Sequence, residues 1–169
     1  KGYEVALRAL QELPEEYVLV AAGGEHEADA TRTEAWLRSE AQRAGLEPRV
    51  RITGYLPADE LEQAAAAAEV VLAPFLEMSA SASLSYALAR GKAVIASDLP
   101  PNRELDCVRL VPTGDAGALA EAVRAVAETP KTKLELERAA LRHAGNHSYG
   151  ALAEETIALY DQLLQVEAR

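Results

Sequence analysis

The chain has 169 residues, a length that fits one domain with a sizeable buried core. Hydrophobic residues make up 49% of it and aromatic residues only 5%, so the core is expected to consist of alanine, valine and leucine. The formal net charge of −10 argues against nucleic acid and anionic membranes as partners, because both attract basic surfaces.

Helical and strand patterns alternate along the chain, and most of the predicted strands are short continuous apolar runs. Such runs are typical of strands buried on both faces of a parallel sheet. The pattern predicts an α/β fold, with an open parallel sheet, helices on both faces and a helical C-terminal tail. The predicted elements are helix 3–13, strand 17–22, helix 28–44, strand 49–53, helix 57–68, strand 70–73, an alanine-rich helix closed by Gly91, strand 93–96, strand 108–111, a helix capped by Asp115, and helices 131–144 and 148–166.

The last predicted helix has an apolar side, which predicts that it packs back onto the domain and contributes to its stability. Removing it from Ser148 onward would then cost several kcal/mol, at roughly 1.5–3 kcal/mol for each large side chain that loses its burial. Partial exposure or a contact between two copies of the chain, as in a homodimer, is the alternative. The apolar side consists of Leu152, Ile157, Leu159, Tyr160, Leu163 and Leu164.

The segment 77–101 contains the clearest candidate for a ligand site. A strand runs into Pro74, and a serine-rich loop then leads into the alanine-rich helix. Small residues at a helix start leave backbone N–H groups open to an anion, and ligands of parallel α/β sheets bind at this edge. The alternative is a helix start that only packs tightly under the sheet. The serines are poor candidates for nucleophiles, because they lack the GxSxG pattern.

Two further patterns are candidate sites. Gly23-Gly24 follows the first predicted strand and either lets a ligand approach the backbone or forms a plain turn, and there is no GxGxxG fingerprint. The histidines His26, His143 and His147 have neither metal-ligand spacing nor cysteine neighbours, so no metal site is predicted.

Cys107 lies in an apolar run and is predicted to be a core residue. A single cysteine cannot form an internal disulfide, which fits a cytoplasmic location. Lys1-Gly2 leads straight into a helical pattern without an initiator methionine, which suggests a domain of a longer protein whose first strand and N-terminal domain precede it.

Five segments in this order resemble the C-terminal, donor-binding domain of a group 1 retaining glycosyltransferase of the GT-B fold. The resemblance covers nearly the whole chain, and it implies a Rossmann-like domain that binds a nucleotide-diphosphate sugar as donor substrate, without a separate cofactor. The acceptor would bind to the N-terminal domain of the same protein. The segments are Lys1-Gly2 with the helix after it, YVLVAAGG, RVRITGYLPADELEQAAAAAEVVLAPF, LSYALARGKAVIASDLPPNREL and HSYGALAEETIALYDQLL.

The resemblance also implies roles for single residues. Lys1 would reach the donor diphosphate, while Tyr55 and Leu56 would lie against the nucleotide base. Glu104 would stand where the family often has a glutamate after its Gly-Gly turn. The remaining residues expected to contact the donor are Gly23, Gly24, Met78, Ser79, Ala80, Ser81, Ala82 and Tyr86.

The sequence departs from the family where two glutamates, eight residues apart, contact the sugar and the ribose. Met78 and Tyr86 occupy those positions, and neither is a carboxylate. Glu77 lies one residue before the position of the first glutamate. It is the candidate catalytic carboxylate if the loop is shifted by one residue.

Three functions therefore remain open. The first is a glycosyltransferase, inactive as an isolated domain. The second is a non-catalytic glycosyltransferase-like binding module. The third is another doubly wound domain, for example half of a phosphosugar epimerase-like protein.

Overall fold

A computed structural model of the chain describes residues 1–23, 28–77 and 81–167. Helices and strands alternate in the predicted order, with boundaries that differ from the predicted ones by one to two residues in most elements. Short 3₁₀ turns lie at Glu47–Arg49 and Pro100–Asn102. The elements are α1 Tyr3–Glu12, β1 Leu19–Ala22, α2 Ala28–Arg43, β2 Val50–Gly54, α3 Ala58–Ala67, β3 Val71–Ala73, α4 Ala82–Ala89, β4 Val94–Ser97, β5 Val108–Val111, α5 Ala116–Ala127, α6 Pro130–Asn146 and α7 Tyr149–Glu167.

All strand pairs in the described residues are parallel, which confirms the predicted α/β class. The strands form two hydrogen-bonded sheets, one of β1 and β2 and one in the order β3-β4-β5. In the larger sheet Val71 pairs with Val94, and Val94 pairs with Val108. Parallel pairing places the carboxyl ends of β3, β4 and β5 at one edge, where the loop before α4 begins.

Helices cover both faces of the larger sheet, as the apolar runs predict. Along β4 the side chains alternate between two hydrophobic clusters and are essentially fully buried. Ile95 packs in a cluster with side chains of α1, α2 and α5. Val94 and Ala96 pack on the other face with side chains of α4 and α6. Cys107 belongs to this second cluster and is 0% exposed, so its predicted core position is confirmed.

Local sequence signals explain where several helices begin and end. The Asp115 carboxylate accepts a hydrogen bond from the Ala118 N–H at 2.9 Å, which confirms the predicted cap of α5. Gly91 follows α4 with a φ of +63°, a left-handed conformation that glycine adopts without strain.

Two sequence predictions fail in the structure. The strand predicted over 17–22 begins only at Leu19, and Val20 is 49% exposed, so β1 is not buried on both faces. Helix α7 does not bury its apolar side. Its large apolar side chains, Leu152, Ile157, Leu159, Tyr160, Leu163 and Leu164, are each between 53% and 64% exposed.

An apolar stripe predicts that a helix has something to pack against, but it does not place the partner within the same domain.

Within the described part of the chain, no helix is long and apolar enough to cross a membrane.

Candidate functional site

Lys1 lies beside the loop that follows β3. Gly2, with a φ of +75°, is packed against the backbone of Pro74, and a Cβ atom at Gly2 would lie 1.8 Å from the Pro74 carbonyl oxygen. The Lys1 Nζ is 5.1 Å from the centre of the Phe75 ring, within the range of a cation–π contact. The start of the chain therefore places a positive charge near the carboxyl end of β3.

The N-terminus of α4 follows the same loop. The Ser81 Oγ accepts a hydrogen bond from the Leu84 N–H at 3.2 Å and lies 3.0 Å from the Ser83 Oγ. Ser81 is thus the N-cap residue of α4. The first N–H groups of an α-helix have no acceptor within the helix and carry a partial positive charge, so this end can accept an anion.

A second group of predicted residues lies at the carboxyl ends of β1 and β2. Gly23 has a φ of +91°, and its N–H donates to the Thr53 Oγ1 at 3.2 Å. Tyr55, which follows β2, is 62% exposed, and Leu56 is half-buried. These residues follow the strands of the smaller sheet, whereas Lys1 and Ser81 are close to the loop that follows β3 of the larger sheet.

Tyr86 bonds to a neighbouring helix. Its hydroxyl donates to the Glu62 Oε2 of α3 at 3.0 Å, and the Arg90 Nε donates to the same oxygen at 2.6 Å. The Arg90 guanidinium also stacks on the Tyr86 ring at 3.4 Å. The hydrogen bond from Arg90, and secondly that from Tyr86, lowers the pKa of the Glu62 carboxyl. Partial burial, followed by the bond to Glu62, raises the pKa of Tyr86.

Two further predicted residues, Glu77 and Ala82, are exposed on either side of the loop before α4. Glu77 is exposed at the end of a described segment, and Ala82 is exposed in the first turn of α4. The predictions for Gly24, His26, Met78, Ser79 and Ala80 fall outside the described residues.

Sequence reasoning missed two side-chain clusters. The Glu62–Tyr86 contact joins residues 24 positions apart, for which the sequence gives no signal. No histidine has a cysteine near it in the sequence, but the fold brings His143 next to Asp106 and Cys107. Helix α6 makes this contact by packing against β5 and α4.

A sequence model of one protein family, described as glycosyl transferases group 1, matches residues 1–129. No protein with a curated description matches the sequence significantly.

Solved structures show the same fold. Sucrose-phosphate synthase from Thermosynechococcus elongatus superposes with a TM-score of 0.81 at 24% identity, over 98% of this chain and 43% of that one. Anabaena HepE in complex with UDP and glucose superposes with a TM-score of 0.81 at 20% identity, over 96% of this chain and 45% of that one. The chain thus spans less than half the length of either protein.

The C-terminal domain of a group 1 glycosyl transferase, LpcC from Francisella tularensis, superposes with a TM-score of 0.72 at 17% identity, over 87% of this chain and 79% of that one. At these identities the superpositions establish the Rossmann-like architecture of one half of a GT-B fold.

Proposed function

The chain belongs to the group 1 glycosyl transferases, and on that basis we propose that it is the C-terminal, donor-binding domain of such an enzyme. The whole protein would transfer a sugar from a nucleoside-diphosphate sugar to an acceptor held by an N-terminal domain. The main supporting observation is the contact of Gly2 with Pro74, which holds Lys1 beside the loop before α4. HepE, a protein of the same fold, has been crystallised with UDP and with UDP-glucose.

The proposed donor site would hold the diphosphate between Lys1 and the first turn of α4. During transfer, the bond between the anomeric carbon and the diphosphate oxygen breaks, and the diphosphate leaves with the electron pair. An acceptor hydroxyl oxygen bonds to the same carbon and gives its proton to the departing diphosphate oxygen. The ammonium of Lys1 and the N–H groups at Ala82 and Ser83 would stabilise the negative charge on the departing diphosphate. Gly23, Gly24, Tyr55 and Leu56 would lie on the nucleoside side.

The second candidate is a non-catalytic binding module of the same family. The observation in its favour is the Tyr86–Glu62 bond, because the residue at the expected ribose position directs its hydroxyl to α3. Met78 likewise replaces a carboxylate in the sequence. The family assignment rules out the third possibility, half of a phosphosugar epimerase-like protein.

The exposed apolar side of α7 supports a larger assembly. We propose that in the whole protein this side contacts the N-terminal domain, and a homodimer is the alternative. The cytoplasmic location stays a prediction from the single cysteine.

Substitution of Ser81 tests the proposed donor site. Aspartate and asparagine are both good N-cap residues, so Ser81→Asp and Ser81→Asn should both keep α4 folded. Only aspartate places a negative charge where the diphosphate would bind. Thermal shifts would be measured with UDP, GDP and ADP and with their glucose conjugates. A ligand present at 100 times its Kd raises the free energy of unfolding by about 2.7 kcal/mol, which gives a measurable shift.

We expect the wild type and Ser81→Asn to be stabilised by at least one of these nucleotides, and Ser81→Asp by none. An equal shift in Ser81→Asp and Ser81→Asn would place the diphosphate elsewhere.

A further inference from the structure

Asp106, Cys107 and His143 bring three different metal-ligand types together outside the proposed donor site. Their ligand atoms, a carboxylate oxygen, the Sγ and an imidazole nitrogen, all lie within 4.8 Å of one another. Asp106 and Cys107 directly precede β5, and His143 lies in the last turn of α6. Because β3, β4 and β5 are parallel, this cluster lies at the amino edge of the sheet, whereas the proposed donor site lies at the carboxyl edge.

Packing holds Cys107 in place and brings His143 next to it. Cys107 is 0% exposed within the cluster that also contains Ala140 of α6. His143 lies about one turn beyond Ala140, so the same helix face that packs against Cys107 also presents the imidazole. Asp106 is exposed, which leaves its carboxylate free to turn toward a cation.

A groove of about 570 Å³ is lined by Asp106 and His143 of the cluster, but not by Cys107. Its lining also includes Glu104, His147 and the positively charged Arg142. The His147 ring is stacked on the His143 ring with centres 4.1 Å apart, and its Nδ1 lies 2.9 Å from the His143 carbonyl oxygen. The groove leaves room for a water molecule as a fourth ligand.

We propose that Asp106, Cys107 and His143 form a binding site for Zn²⁺. Zinc binds sulfur, nitrogen and oxygen ligands at about 2.0–2.3 Å, with three protein ligands and a water in open sites. Tetrahedral coordination at those lengths places ligand atoms roughly 3.3–3.6 Å apart, so closing the cluster needs an approach of about 1.5 Å or less between any two ligand atoms. Asp106 and His143 can supply this movement, because neither is fully buried.

Burial disfavours the charged forms of both His143 and Cys107. Burial, followed by the neighbouring His147, lowers the pKa of His143, and the charge of Asp106 opposes this shift. Burial, followed by the charge of Asp106, raises the pKa of the Cys107 thiol. Zinc must therefore displace a proton from Cys107 when it binds.

Titration of the untagged, reduced 169-residue chain with ZnCl₂ or CoCl₂ tests the site. We expect one Zn²⁺ per chain by calorimetry, and a thiolate-to-cobalt charge-transfer band with Co²⁺. Asp106→Asn should weaken Zn²⁺ binding at least about tenfold. Loss of a residue that only hydrogen-bonds to a metal ligand already weakens metal binding by about that factor. Cys107→Ser should remove the charge-transfer band, and circular dichroism would check that this variant is folded.

His147→Gln and Glu104→Gln are the matched controls, because both residues line the groove but neither belongs to the cluster. Both variants should bind Zn²⁺ within about twofold of the wild type and keep the cobalt band. The proposal is overturned if Asp106→Asn binds normally, or if the wild type shows no thiolate band. Loss of binding in His147→Gln alone would instead indicate a surface site formed by the histidine pair on α6.

Discussion

Gly2 and Pro74 approach so closely that any side chain at Gly2 would collide with the Pro74 carbonyl oxygen, which a Cβ atom would meet at 1.8 Å. The contact joins the start of α1 to the loop after β3, and it is the reason that Lys1 lies over the Phe75 ring. The position of the proposed phosphate-binding lysine therefore depends on a glycine.

Substitution of Gly2 measures this contact. Gly2→Ala and Gly45→Ala both place alanine at a positive φ, which costs about 1–3 kcal/mol. Only Gly2→Ala adds a collision, because a Cβ at Gly45 meets nothing within 4 Å. We expect Gly2→Ala to lower the free energy of unfolding by at least about 1 kcal/mol more than Gly45→Ala, as overpacked sites do. Urea denaturation measures both, and equal losses would contradict the close contact.

The Glu62 carboxyl should titrate below its ordinary pKa of about 4.3, because Arg90 and Tyr86 both donate to it. The stability that this carboxylate contributes is present above about pH 4.3 and is lost as the pH falls through the lowered pKa of the folded state. Carbon-13 NMR of the side-chain carboxyl measures the midpoint.

Two variants test which hydrogen bond lowers the pKa of Glu62 more. Arg90→Met should raise the Glu62 midpoint more than Tyr86→Phe, because the Arg90 hydrogen bond is the larger cause of the lowered pKa. A midpoint unchanged in Arg90→Met would show that the pair does not persist in solution.

Helix α7 should add little to the stability of this domain, contrary to the expectation from its apolar stripe. Leu159 is 53% exposed, whereas Leu119 of α5 is 0% exposed. Leu119→Ala should cost about 2–5 kcal/mol, and Leu159→Ala should stay within about 0.5 kcal/mol of the wild type.

Deletion of residues 148–169 should likewise leave the urea midpoint of the remaining domain nearly unchanged. A loss of several kcal/mol on deletion would mean that α7 packs onto the domain in solution.

The missing carboxylates at 78 and 86 should weaken recognition of the donor sugar. Sugar hydroxyls need hydrogen-bond acceptors in the protein, and a site that lacks these acceptors gains little affinity from the sugar. We expect a nucleoside diphosphate to bind the complete protein about as tightly as its sugar conjugate, as measured by calorimetry. Glu77 is the neighbouring carboxylate that could replace them. A large gain from the sugar that disappears in Glu77→Gln would show a working sugar site with a shifted loop.

The sequence alone was sufficient for the features that depend on near neighbours. Apolar runs predicted the parallel strands, Asp115 and Gly91 marked helix ends, and the surroundings of Cys107 predicted its burial. These features follow from the backbone preferences and hydrophobicity of a few consecutive residues.

Only the tertiary structure decided which distant side chains meet. It paired Tyr86 with Glu62, placed His143 beside Cys107, and left the apolar side of α7 exposed. Each outcome depends on which surfaces the helices pack against, and the choice of packing partner leaves no local pattern in the sequence. The sequence predicted an anion site at the start of α4, whereas only the fold showed that Lys1 lies beside the loop before that helix.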